Sequence, residues 1–302
     1  ATYNGSNPYA APGLLTMIPH LEFNIGTFFP KNGMHQITHS LYDLALEMGV
    51  QFKFNTNIEE ILFHDNKVIG VKSEEKEYYS EIVVSNMDVY PTYKKLLPKL
   101  DPPTKTIEQE RSSSAIIFYW GIKKQFKQLE LHNIFFSEDY KREFEVMFNQ
   151  KNVFDDPTVY LNITSKNKPS DAPQGCENCF ILVNAPTNEN QNWEEIISRT
   201  RDNVIAKLSR MLGENIEELI DQEELLTPEL IEQRTSSFGG SLYGTSSNNR
   251  YAACLRHKNE SSQLDGLYFC GGSVHPGGGI PLCLNSAKIA TNLITKKYRA
   301  KV

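Results

Sequence analysis

No block of lysine and arginine interrupts this sequence, which carries 31 basic and 37 acidic side chains and a formal charge of −6. That absence excludes the clustered cationic face with which proteins grip DNA or RNA phosphates. No apolar run reaches the roughly 20 residues a membrane-spanning helix needs. The opening residues, ATYNGSNPYAAPGLL, lack the charged-then-apolar pattern of a secretory leader. Cysteine is scarce: the five present are an odd number without framework spacing, which fits a reducing compartment and excludes a disulfide scaffold. Cys176 and Cys179 form a CxxC, but a structural zinc site needs four ligands and no second pair stands nearby. We expect a loop ahead of the strand CFILVNAP and no metal site. There is no GxSxG elbow, so serine-nucleophile chemistry finds no support. The expectation is a cytoplasmic protein.

What is present is patterned. Ile37, Leu41, Leu44, Ala45 and Met48 recur at spacings of three and four within Gly33–Val50, one apolar helical face that stops at Gly49. Next, VQFKFNTNIEEILFHDNKVIGVKSEEKEYYSEIVVSN alternates apolar and polar residues, turns at His64–Lys67 and ends on the wholly apolar IVV. This predicts a strand, a small antiparallel meander and a buried strand. From Pro91 the character changes. SSAIIFYWGI and CFILVNAP read as strands, and NWEEIISRTRDNVIAKLSRMLG as a helix striped by Ile196, Ile197, Val204, Ile205, Leu208 and Leu212. The Phe- and Tyr-rich stretches here suit a core, or walls around a long apolar ligand.

The densest signal is GLYFCGGSVHPGGGIPLCLNSAKIATNLI, Gly266–Ile294. A short buried strand runs into a glycine pair, and a helix follows with Pro281 at or near its first position, where its missing N–H costs nothing. Its apolar residues cover most of the helix surface, which predicts burial. A buried helix N-terminus presents free N–H groups and about half a positive charge. Gly277, Gly278 and Gly279 would leave that end bare for a flat or anionic ligand. The competing reading is a tight turn, for which one glycine suffices.

LYFCGGSVHPGGGIPLCLNSAKI resembles the C-terminal signature of the phytoene desaturase family, the bacterial-type FAD-dependent carotenoid desaturases. ATYNGSNPYAAPGLLTMIPHLEFNIGTFFPKNGM and GVQFKFNTNIEEI resemble its middle segments, in the right order. The HPGGGIP form is nearer to the 1-hydroxycarotenoid 3,4-desaturase branch and to diapocarotenoid desaturases. The resemblance implies an α/β fold: a two-dinucleotide-fold FAD-binding domain of amine-oxidase-like type with an inserted substrate domain. The segments expected are 1–27 (substrate domain, first part), 28–90 (FAD-binding domain), 91–235 (substrate domain) and 236–302 (FAD-binding domain, C-terminal part). It places Ile58 near the adenine, Gly271, Gly272 and Ser273 beside the ribityl and pyrophosphate, and Gly278, Gly279, Ile280, Pro281 and Leu282 below the isoalloxazine. Gly33, Met34, Asn86 and Met87 match more loosely. The family's N-terminal GxGxxG, with its later acidic residue for the ribose, is not in this sequence. The expectation is a chain lacking that first unit.

Desaturation removes a hydride and a proton, and no side chain accepts a hydride, so the cofactor must. His275, beside the glycines, is the candidate proton carrier, against a role as a turn residue before Pro276. Arg256 and His257 are candidates to support the flavin or pocket, against ordinary exposed loop positions. The resemblance implies a carotenoid substrate, peripheral membrane contact and reoxidation by a quinone or oxygen. A flavin-dependent isomerase or saturase of the same superfamily, or an inactive fragment binding an apolar ligand, are the alternatives.

Overall fold

The computed structural model describes residues 4–248 and 255–299. In chain order its elements begin with helices α1 (Met17–Asn24) and α2 (His35–Glu47). Strands β1 (Ile58–His64), β2 (Lys67–Ser73), β3 (Glu77–Tyr79) and β4 (Val83–Ser85) follow, then the helical turns α3 (Val89–Pro91) and α4 (Thr104–Ile107). Next come β5 (Ser114–Ile122), β6 (His132–Phe135), α5 (Tyr140–Asn149), β7 (Val159–Asn162), β8 (Glu177–Ala185) and α6 (Trp193–Leu212). The chain closes with α7 (Ile216–Leu219), β9 (Ile220–Leu226), α8 (Pro228–Thr235), β10 (Leu267–Phe269) and α9 (Ile280–Arg299).

Among the described residues there are three sheets. β1, β2 and β3 form an antiparallel meander, whose first turn is carried by Asp65 and Asn66 at φ 47° and 59°, the left-handed region these two residue types tolerate. β4 and β10 pair in parallel, Val84 opposite Tyr268, although 183 residues separate them in sequence. The largest sheet runs β6-β7-β8-β5-β9, and all its pairings are antiparallel.

The large sheet and α6 share one core. Alternate residues of β5 (Ile116, Phe118, Trp120, Ile122) meet Ile181 and Val183 of β8 and the Ile196, Val204 and Leu208 stripe of α6. The helix is capped as its sequence dictates: Asn192 accepts from the Glu195 N–H at its start, and Gly213 ends it at φ 70°. A second core joins Ile61 and Val68 of the meander, Val89, Tyr93 and Leu97 after β4, and Leu267, Phe269 and Val274 of the C-terminal segment.

One expectation fails and another is met only in part. The alternating residues 50–55 form no strand; Val50, Phe52 and Phe54 are exposed, and a strand without a neighbour has no ladder to hold it. The predicted apolar helix exists as α2, yet none of its residues is buried. Among the described residues no helix is long and apolar enough to cross a membrane.

Candidate functional site

β10 is fully buried and ends at Phe269, so the glycine loop leaves the sheet from inside the molecule. Gly271, at φ 107°, sits where a side chain would press on Asn86 Oδ1 at 2.7 Å, which ties the loop to the turn after β4. Its N–H donates to Ser286 Oγ, and Ser286 is one of only two buried residues of α9. The Ser273 hydroxyl accepts from the Val89 N–H at 3.0 Å, a second tie between the loop and the segment after β4.

The three consecutive glycines do different jobs. A Cβ on Gly277 would lie 3.1 Å from Arg256 Nε, and one on Gly278 would lie 2.8 Å from Tyr243 Cδ1. Internal packing therefore accounts for those two. Of the three, only Gly279, at φ 98°, has nothing among the described residues within 4 Å of where a side chain would stand. The first helical bond behind it runs from the Cys283 N–H to the Gly279 carbonyl, leaving the earlier N–H groups of α9 unbonded within the helix.

The expected burial of that helix is not found. Ser286 and Ala290 alone are buried, while Ile280, Leu282 and Leu284 are 49%, 41% and 50% exposed. The helix rests on a two-stranded sheet along one narrow stripe, which cannot cover its wider apolar surface.

Arg256 and His257 are not exposed loop residues; both are buried. Arg256 donates to the backbone carbonyls of Thr245 (2.8 Å), Tyr243 (3.1 Å) and Gly272 (3.4 Å), clamping two loops together. Burial, with the nearby charge of Arg111, brings its guanidinium down to about 10, so it remains charged at neutral pH. His257 Nδ1 lies 2.7 Å from the Lys258 carbonyl and must donate to it, which leaves Nε2 to accept from the Tyr93 hydroxyl at 3.1 Å. Burial holds its pKa below the usual histidine value.

His275 lies at the loop surface; its backbone N–H donates to the His257 carbonyl, and its carbonyl accepts from Asn259. Ile58 opens β1 opposite Ser73. Met34 is exposed and Gly33 takes φ 87° beside Lys168. Ile58 and Gly33 are thus apart from the loop, whereas Gly271 to Leu282, Asn86 and Arg256 come together.

Sequence reasoning missed Asn259, whose amide donates to the carbonyls of Phe269 and His275 and to Ser286 Oγ, bracing the whole loop. It missed Tyr243, and the Asp88–Arg111 ion pair. An arginine placed directly before an apolar strand, in QERSSSAII, was the only available signal.

Residues 1–295 match the model of a family described as flavin containing amine oxidoreductase. The chain belongs to that family. Among curated relatives, a 1-hydroxycarotenoid 3,4-desaturase from a Flavobacterium species is 55% identical over 97% of this chain and 60% of its own length. A 4,4'-diapolycopene oxygenase from a Methylomonas species is 33% identical with the same coverage of both chains. The chain thus spans 60% of the length of these relatives. An oxidoreductase from Methanosarcina mazei shares the fold at TM-score 0.59 and 14% identity, over 94% of this chain and 58% of its own. A redesigned putrescine oxidase does so at TM-score 0.54 and 13% identity, over 88% and 53%. The amine-oxidase-like α/β fold that the resemblance implied is therefore the fold found.

Proposed function

We propose that this protein acts as an FAD-dependent carotenoid desaturase, with the 3,4 bond of a 1-hydroxycarotenoid as the bond oxidised. The observation that carries this is the 55% identity with a desaturase of that name, sustained over 97% of the chain. The residues present fit a flavin. Among the described residues nothing stands against Gly279, and the start of α9, Ile280, Pro281 and Leu282, is exposed. These residues, with Gly278, would hold the ring system, Gly271 and Gly272 the ribityl and pyrophosphate, and Ile58 the adenine end. Ser273 fits less simply, because it is buried and its oxygen already accepts from the Val89 N–H, leaving its O–H to donate.

When bound, FAD supplies the hydride acceptor that no side chain can provide. The chain's own residues do the rest. The unbonded N–H groups of α9 and the fixed charge of Arg256 favour negative charge near the loop. Arg256, three of whose five N–H groups donate to carbonyls, orients the loop and stays charged. His275, at the loop surface, is the proposed proton acceptor. The inserted substrate domain is taken as 91–235, with segments 1–27, 28–90 and 236–302 as assigned from the sequence. Peripheral contact with the membrane that dissolves the substrate, and reoxidation by a quinone or oxygen, complete the reading.

Expression of the full open reading frame in a host that accumulates a 1-hydroxycarotenoid tests it. The reading predicts a pigment two hydrogens lighter with a longer chromophore; recovery of unchanged pigment, with the protein present and flavin-loaded, would refute it.

A further inference from the structure

The two cores meet at a buried charged hub. Asp88 follows β4, Arg111 precedes β5, and both are over nine-tenths buried. Arg111 Nη2 donates to Asp88 Oδ2. Arg111 Nε and Nη2 both donate to Ser241 Oγ, at 3.2 and 3.1 Å. The second Asp88 oxygen accepts from the Tyr90 N–H at 3.0 Å, and Oδ2 also accepts from the Phe238 N–H at 3.2 Å. Tyr90 and Phe238 stack with ring centroids 3.8 Å apart. Arg111 Nη1 has no partner among the described residues, so the guanidinium spends its protein hydrogen bonds on Asp88 and Ser241 alone.

What the hub holds is the root of the large sheet. Directly after Arg111, the Ser112 N–H donates to the Gly244 carbonyl and the Ser112 hydroxyl accepts from the Tyr243 N–H at 2.9 Å. Leu242 donates to the Ser113 carbonyl, and Ser114 Oγ to the Gly240 carbonyl. The segment 240–244 so fastened is the one that packs on the glycine loop: Tyr243 lies against Gly278, and Gly244 against Ser273. An unbroken line of contacts therefore runs from Arg111 through Ser112 and Tyr243 to the start of α9.

We propose that Asp88, Arg111 and Ser241 are positioning residues, a charged latch that fixes the large sheet in register with the glycine loop, and so a substrate held on that sheet against a flavin held on the loop. The latch is charged for a physical reason. A guanidinium fork hydrogen-bonded to a buried carboxylate has one preferred geometry, whereas apolar packing tolerates sliding. It rests on the desaturase reading only for the reaction it serves.

The test uses the protein from its full open reading frame, loaded with FAD. Removing one charge alone leaves the other buried and unpaired, and that variant can fail to fold. The informative variants are Ser241→Ala, which removes only the shared acceptor, and the double change D88N/R111M, which removes both charges. Hydrogen exchange at the Ser112, Leu242 and Tyr243 amides and the steady-state kinetics are read together, with flavin content and melting temperature as controls. The latch predicts amide exchange about tenfold faster at those sites with β8 unchanged, and a limiting rate lower by about tenfold or more at similar KM and flavin content. Unchanged exchange, or faster exchange with an unchanged limiting rate, overturns it, as does a rate that falls only in step with flavin content or melting temperature. If the wild-type protein oxidises no carotenoid, the functional reading falls and the exchange pattern alone decides the latch.

Discussion

Tyr243 and Gly278 occupy one space: a side-chain carbon on Gly278 would stand 2.8 Å from Tyr243 Cδ1 and 3.0 Å from Tyr243 Cα. The glycine loop is thus shaped from behind by residues of this chain as well as bared in front at Gly279. Alanine at position 278 forces either the ring or the start of α9 to move. Overpacking of this kind costs about 1–3 kcal/mol. We expect Gly278→Ala to melt several degrees lower and to bind FAD more weakly, and Tyr243→Ala in the same chain to restore part of the loss. Thermal denaturation and flavin titration of the three proteins check it; a silent Gly278→Ala would show that the contact is not felt.

The buried His257 makes stability depend on pH. Its folded pKa lies below the unfolded value, so between the two the unfolded chain holds more protons than the native state. Its contribution is complete above about pH 6.5 and is lost as pH falls through the unfolded value toward the folded one. Urea denaturation between pH 5 and 8 should therefore show stability falling on the acid side, and H257Q should flatten that slope. An equal slope in both proteins would remove His257 as the cause.

Cysteine reactivity separates two thiols of one motif. Cys179 points into the core of the large sheet, 5% exposed, and burial pushes its thiol up to about 12. Cys176, three residues earlier, is half-buried in the preceding turn. Because the thiolate is the reactive form, iodoacetamide at neutral pH should label Cys176 well before Cys179, as peptide mass mapping would show. Equal labelling rates would mean that β8 opens readily.

The core of the large sheet sets the scale of stability. Ile181 is 1% exposed and packs between the β5 residues and α6. Ile181→Ala should cost about 3 kcal/mol, measured by urea denaturation, and a loss below about 1 kcal/mol would argue against that packing.

The elements legible in the sequence are those built on local patterns. β5, β8 and α6 follow from apolar periodicity, and the strand–glycine–helix order at the C-terminus follows from LYFCGG and IPLCLNSAKI. The relations that were not legible join residues far apart in the chain. Nothing near Gly277 and Gly278 announces that Arg256 and Tyr243 fill the space in front of them, so their bareness looked like room for a ligand. Likewise Asp88, Arg111 and Ser241 are each unremarkable alone, and they meet only because the segment 240–244 is fastened to Ser112–Ser114 and Phe238 to Asp88. The apolar patterns of 50–55, α2 and α9 did not translate into burial: Tyr42 of α2 meets the exposed rings of Phe52 and Phe54, and α9 buries only Ser286 and Ala290 among its described residues.

The flavin-loaded protein from the full open reading frame is mixed without oxygen with a 1-hydroxycarotenoid in detergent or liposomes, while the flavin absorption and the carotenoid mass are followed together. The account predicts that the flavin bleaches as the carotenoid loses two hydrogens, one carotenoid per flavin. Flavin that dithionite bleaches but the carotenoid does not, with the pigment recovered unchanged, would contradict it.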